Sequence, residues 1–336
     1  MTTADRGVAR STPTGLRVRA YRGEADVPAI VGVMNAEFAH DGVPARVTIE
    51  DKLAQYRHAS ESFDPTRDLT LAEIDGEPVG YAVRGWNDAH DSELREYRVD
   101  GAVVPQWRAR GVGSALLRES MGRAREMAAG HDTTRARAFG SFSHQGQLRD
   151  EALLRRNGFA AVRYFFIMAR PGLDDVTAVP LPPGLEIRPV TAADARAVWA
   201  ADVESFRDHW GGYDDSEASF LRWREAPEYD PTLQVVAFDG DQVAGAVICV
   251  INEQENALLG LNRGWLDDVF TRRPWRGRGL ARALMSRALL VLRERGVSSA
   301  ALDVDAANPS GALGLYESAG FIVERRSTAW RRELEI

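Results

Sequence analysis

The chain has 336 residues, 44% of them hydrophobic, a formal net charge of −7 and one cysteine, Cys249. Its length suits two domains of ordinary size, and an acidic balance with no basic stripe argues against a nucleic-acid partner. A lone cysteine excludes an intrachain disulfide frame or a thiolate metal centre. No apolar run of about 18 residues offers a membrane span, and Met1-Thr2-Thr3-Ala4-Asp5 lacks the basic start and apolar core of a signal peptide, so a soluble cytoplasmic protein is expected.

Residues 1–14 are small and polar and read as a loose tail. Gly15-Leu16-Arg17-Val18-Arg19 opens a strand; two helices follow, then apolar runs on either side of Asp75-Gly76, a hairpin signal. A longer strand ends at Gly101-Ala102-Val103-Val104 and runs into Trp107-Arg108-Ala109-Arg110-Gly111-Val112-Gly113-Ser114 and a long helical pattern. A strand, a short helix and a last strand after Gly158-Phe159 complete the unit. Prolines and glycines from Pro171 to Pro183 resist both helix and sheet interior and mark a linker.

The series then repeats. Gly184-Leu185-Glu186-Ile187-Arg188 matches Gly15 to Arg19 at an offset of 169, and Trp275-Arg276-Gly277-Arg278-Gly279-Leu280-Ala281 matches Trp107 to Gly113 at 168. Asp239-Gly240 matches at 164 and Gly320-Phe321 at 162, a drift that means small length changes in loops. The expected organisation is a tail at 1–14, a unit at 15–170, a linker at 171–183 and a second unit at 184–336.

The duplicated glycine-rich turn lies between a strand and a helix start. Glycines there let the backbone approach a ligand, and first-turn N–H groups with no intrahelical partner point at it, so an anion such as a phosphate is the natural guest. A dinucleotide fingerprint needs a third glycine where Arg282 and Leu116 stand, and a P-loop needs Lys-Ser/Thr, which neither copy supplies.

The pattern Arg-x-x-Gly-x-Gly/Ala, at Arg276 to Ala281 and Arg108 to Gly113, resembles the acyl-coenzyme A loop of the GNAT superfamily of N-acetyltransferases. A second block, Leu302 to Phe321, is similar to the GNAT segment in which a strand ends at an Asn, a short helix carries a Tyr, and Gly-Phe closes that helix. The two blocks stand 27 residues apart, from Ala281 to Asn308, in the family's order.

The resemblance implies an α/β (mixed α+β) fold of two tandem GNAT-like domains, each a mostly antiparallel sheet splayed at the acyl-CoA site and flanked by helices. It implies acetyl-CoA as co-substrate, held by main-chain amides of Arg276, Gly277, Arg278, Gly279, Leu280 and Ala281, with Val269, Phe270 and Thr271 along the pantetheine arm and Asn308 contacting it. An N–H around Phe270 would meet the developing oxyanion. In the first copy Val103, Arg108, Arg110, Gly111, Val112, Gly113 and Ser114 occupy the equivalent positions.

Tyr316 would protonate the departing thiolate, although a tyrosine packing helix on sheet would read the same. For the base, the family's strand glutamate falls at Trp265 here, which leaves Asp267 as the preferred candidate beside a water chain. On a regular strand Asp267 and Asp268 face opposite ways, so only one can reach the acceptor. The copies are unequal: aligning the Gly-Phe pairs sets Leu154 against Tyr316 and Gly146 against Asn308, so catalysis is expected in the second unit, with the first as a weak binder or scaffold.

Acceptor recognition is expected from Phe206 to Tyr213, with Phe206, His209 and Trp210 as contacts, His209 being open to a packing role instead. Glu204 and Asp208 could draw in a cationic amine or simply be solvated. The six histidines make no metal spacing, and no metal is expected. The tandem architecture also resembles the mycothiol synthases, though nothing in the acceptor region identifies their substrate. The expected activity is direct acetyl transfer to a small-molecule amine by a monomer or homodimer; the alternatives are a non-catalytic acyl-CoA sensor or scaffold and a protein N-acetyltransferase.

Overall fold

The computed structural model describes residues 13–89, 92–207, 209–210, 214–308 and 311–336. In the first copy the elements are β1 (Leu16–Ala20), α1 (Val27–Asp41), α2 (Ile49–Arg57), α3 (Pro65–Asp68), β2 (Leu69–Ile74), β3 (Glu77–Asp88), β4 (Leu94–Val103), α4 (Val112–Gly130), β5 (Ala136–His144), α5 (Leu148–Arg156) and β6 (Ala160–Arg170). The second copy has β7 (Glu186–Ile187), α6 (Ala195–Phe206), α7 (Glu217–Arg224), β8 (Val235–Asp239), β9 (Gln242–Val250), α8 (Glu253–Leu259), β10 (Arg263–Thr271), α9 (Leu280–Glu294), β11 (Ser299–Asp305), α10 (Ala312–Ser318) and β12 (Ile322–Glu333). The order expected from the repeat is present in both. Helices α3 and α8 are additions to that reading; α8 is capped by Asn252, whose side chain accepts from the Glu255 N–H, and ended by left-handed Gly260.

Local chemistry explains the elements. Asp75 and Gly76 hold φ of 53° and 86°, the two positive values that a tight hairpin turn matched to strand twist requires. In the second hairpin Asp239 pairs with Gln242, so the turn residues are Gly240 and Asp241, one position later than the Asp-Gly match suggests. Leu280, Ala283, Leu284, Ala288, Leu289 and Leu292 recur at helical spacing along α9 and bury one face of it against the sheet.

The strands form one 12-stranded sheet in the order β1-β2-β3-β4-β5-β12-β6-β11-β10-β9-β8-β7. The last strands of the two copies are exchanged: β12 pairs antiparallel with β5 of the first copy, and β6 pairs antiparallel with β11 of the second. They also pair with each other, so each copy's sheet is completed by the other's final strand.

Among the described strands two neighbouring pairs are parallel, and both part company. Strands β10 and β11 pair from Arg263–Trp265 with Ser299–Ala301 and then diverge. Strands β4 and β5 pair from Leu94–Arg98 with Ala136–Gly140 before doing the same. Each divergence leaves a V between two neighbouring strands within the sheet.

Candidate active site

The loop after β10 is positioned by Trp275, which is buried and donates its indole N–H to Asp239 at the hairpin, 2.9 Å away. Beyond it Gly277 and Gly279 adopt φ of 71° and 83°, and a Cβ at either would meet nothing within 4 Å. The first bond of α9 runs from the Ala283 N–H to the Gly279 carbonyl, 3.2 Å, which leaves the amides from Gly277 to Ala281 without a backbone acceptor. Arg276 and Arg278 are exposed beside them. Leu280 is buried, so only its main chain can serve a ligand. Open glycine surfaces, orphan amides and flanking guanidinium groups fit a diphosphate.

The first copy keeps the same backbone with different surroundings. Ala109 holds φ of 59° where Gly277 stands, an unfavourable left-handed conformation for a residue with a Cβ. Gly111 has φ of 93° but is buried where Gly279 is exposed, and Val112 is fully buried. Gly113 and Ser114 form the first turn of α4, and Val103 packs in the core. Arg110 stacks over Trp107, 4.9 Å from its ring centre. The Arg108 guanidinium is committed to Glu37 at 2.8 Å and Asp41 at 2.6 and 2.7 Å. Burial among these acids pushes the Glu37 carboxyl up to about 8 and Asp150 up to about 6.

The two V-shaped openings differ more sharply. In the first, Asp100 Oδ1 on β4 accepts from the Ser141 hydroxyl at 2.9 Å and the Phe142 N–H at 3.0 Å on β5, bridging the gap and leaving a cavity of about 70 Å³. Leu154 lies in its wall. Gly146, at the counterpart of Asn308, has φ of 107°, and a Cβ there would strike the Asp41 carbonyl.

In the second V, a cavity of about 250 Å³ opens between β10 and β11. It brings together Tyr316, Asn308, Asp267, Val269, Phe206, His209 and Trp210, all of them picked out from the sequence. It also includes Phe165, Asp303 and Asp305, which sequence reading missed. Nothing local flags them: Phe165 is on β6 of the other copy and arrives through the strand exchange. Asp208 and the segment Gly211 to Tyr213 lie outside the described residues. Glu204 is tied to Arg272 at 2.7 and 3.0 Å.

Tyr316 is buried at the end of the cavity with its ring edge-on to Phe321, centroids 6.3 Å apart. Burial, reinforced by the charges of Asp268 and Asp303, pushes its phenol up to about 12. The expectation of a regular strand at Asp267 and Asp268 fails, because β10 carries a bulge: Leu266 pairs with Cys249 and Asp268 with Ile248, so Asp267 has no partner on β9. Asp267 faces the cavity, and enclosure by protein raises its carboxyl above the ordinary range. Asp268 is raised further, by burial and then by the charges of Asp202 and Asp267.

Past the bulge the ladder is regular. The Arg272 N–H bonds to Ala244 of β9 at 3.0 Å, and Phe270 pairs with Ala246. Alternation therefore turns the Phe270 N–H toward β9 as well and leaves the amides of Val269 and Thr271 facing the open V. The Phe270 side chain is buried on the opposite face against Val198 and Ala201. The Thr271 hydroxyl has no hydrogen-bond partner among the described residues. Asn308 is anchored through its own N–H to the Asp305 carbonyl at 3.0 Å.

The acceptor side of the cavity is aromatic and acidic. Trp210 stands 5.8 Å from Phe165 between ring centres, and Arg331 of β12 lies over its ring at 4.3 Å. Phe206 and His209 pack together at 4.2 Å. Asp305 is paired with Arg163 of β6 through two bonds of 2.8 and 2.7 Å. Burial, then the neighbouring Asp305 and Asp267, push the Asp303 carboxyl up to about 6.

Comparison with known proteins bears on the family and the fold. The model of the acetyltransferase (GNAT) family matches residues 36–139 and 195–321. The mycothiol acetyltransferase of Thermobispora bispora is 28% identical over 308 residues, covering 91% of this chain and 96% of its own. The crystal structure of a GCN5-related N-acetyltransferase from Sphaerobacter thermophilus superposes with a TM-score of 0.69 at 26% identity, covering 96% of this chain and 97% of that one. A tandem GNAT protein from the clavulanic acid biosynthesis pathway has the same fold, with a TM-score of 0.68 at 17% identity over 95% of this chain and 98% of its own.

Proposed function

Because the chain belongs to the acetyltransferase (GNAT) family, we propose that its second copy moves an acetyl group from acetyl-CoA directly to the amine of a small molecule held in the same cavity. The chain is an N-acetyltransferase, and acetyl-CoA is the family's co-substrate. The observation that carries the assignment to the second copy is the contrast between its open cavity of about 250 Å³, walled by Tyr316, Asn308 and Asp267, and the bridged V of the first.

Acyl transfer from a thioester to an amine needs a neutral amine, donors at the developing oxyanion and a proton for the thiolate. The amides from Gly277 to Ala281 would hold the diphosphate of the co-substrate, and Asn308 its arm. The amides of Val269 and Thr271 are the available donors for the oxyanion. A phenol raised to about 12 stays protonated at neutral pH, so Tyr316 is always loaded to give its proton. Asp267, with its affinity for protons raised by enclosure, is the group best suited to take one from the incoming ammonium. Relatives named mycothiol acetyltransferase, matched over most of the chain, support a small-molecule acceptor.

Thiol release from acetyl-CoA by the whole chain, measured with a panel of small amines, tests the reading. Amine-dependent release at saturating acetyl-CoA is expected; binding of acetyl-CoA with no release for any amine would leave the scaffold alternative in its place.

A further inference from the structure

We propose that the acceptor carries a second cationic nitrogen besides the amine that reacts, and that the Asp303 carboxylate holds it. The proposal rests on the reading of this cavity as the acetyl-transfer site and names the chemistry of its guest.

Among the described residues three carboxylates line the cavity, with no lysine or arginine beside them in its lining. Asp305 is neutralised by Arg163. Asp267 and Asp303 have no hydrogen bond or ion pair with any described residue, and the nearby charge of Asp267 adds to the cost of ionising Asp303. Both side chains are solvent-exposed along the cavity, and a guest that displaces that water must offer them positive charge. One ammonium group is not enough: the nitrogen that attacks must first give up its proton, to Asp267 in this account, and then has no charge to offer Asp303. A nitrogen that stays protonated is required for the second acid. The rings of Phe165, Phe206 and Trp210 supply an apolar wall for the carbon chain between the two nitrogens. A cavity of about 250 Å³ suits a guest below drug size.

The test uses three acceptors of equal chain length: pentane-1,5-diamine, pentylamine and 5-aminopentanoate. Acetyl-CoA binding to the whole chain is measured first by calorimetry, since its absence would sink the transferase reading itself. With binding established, kcat/KM for the diamine should exceed that for pentylamine roughly tenfold or more, the value of one charge-assisted contact, and 5-aminopentanoate should be the poorest. In Asp303→Asn the ratio of diamine to pentylamine should collapse toward unity, and Asp303→Glu should restore part of it. Equal kcat/KM for diamine and pentylamine, a preference for 5-aminopentanoate, or an unchanged ratio in Asp303→Asn would each overturn the proposal while leaving the transferase reading standing. If none of the three is acetylated, calorimetry with coenzyme A present decides: tighter binding of the diamine than of pentylamine supports the proposal, and equal or absent binding overturns it.

Discussion

Phe165, on the last strand of the first copy, and Trp210, just past the end of α6 in the second, face each other with ring centroids 5.8 Å apart. The acceptor cavity therefore has a wall from each half of the chain. Phe165→Ala removes the far side of that wall without touching the loop that takes the co-substrate. KM for the acceptor should rise roughly tenfold, about 1.4 kcal/mol of lost contact, with KM for acetyl-CoA little changed. Equal effects on both constants would mean that the aromatic wall serves general stability instead.

Tyr316 supplies a prediction about pH. Its phenol is pushed up to about 12, so it keeps its proton throughout the working range. The rate at saturating substrates should therefore show no alkaline limb from Tyr316 below about pH 10. Tyr316→Phe should lower kcat by roughly a hundredfold with little change in KM for acetyl-CoA. Undiminished turnover by this variant would assign the proton donor elsewhere.

Asp303 makes a stability prediction of definite sign. Its carboxyl is raised from 3.8 to about 6 in the folded protein, chiefly by burial. The folded state thus binds the proton more tightly than the unfolded state, so the stability tied to that proton is present below pH 4 and is lost as pH rises through about 6. Asp303→Asn carries no charge at any pH and should raise the melting temperature at pH 7.5, with the gain shrinking as pH falls toward 4. A gain that grows on acidification would refute the sign. Contact with cavity water makes the effect small.

The strand exchange predicts how the chain can be cut. Strand β6 lies between β12 and β11, and β12 between β5 and β6. Residues 1–170 and 171–336 expressed apart each lose a paired strand and expose an open edge, which favours aggregation. Each half alone should give aggregates or poorly protected amides in hydrogen exchange, whereas the two co-expressed should assemble. A monomeric, well-protected second half would show that the exchange is dispensable.

Sequence reading reached those parts of the molecule that are written locally. Positive φ at Gly277, Gly279, Asp75 and Gly76 follows from residue type, and the loop, hairpins and helix starts were legible for that reason. The splayed sheet and the meeting of Asn308 with Tyr316 followed from family resemblance. What stayed hidden depends on distant pairing. No local pattern tells β6 to lie against β11 instead of β5, so Phe165 could not be foreseen as a wall of the second copy's cavity, nor Arg163 as the partner of Asp305. The bulge at Asp267 inserts one residue opposite β9, a feature that alternation of apolar residues does not encode, and it undid the simple two-face argument for Asp267 and Asp268. The Asp100 bridge to Phe142 likewise joins positions 42 residues apart.

The central claim, that the loop from Arg276 to Ala281 and not its duplicate serves the reaction, is tested most directly by thiol release from acetyl-CoA in the Gly279→Ala variant of the whole chain. A methyl at φ of 83° strains the turn and fills space left open for the diphosphate. The account predicts that KM for acetyl-CoA rises by roughly tenfold or more in a protein that still melts cooperatively, as befits a lost close approach of about 1.4 kcal/mol. An unchanged KM and rate would mean that the intact loop from Arg108 to Gly113 carries the catalysis, contradicting the account.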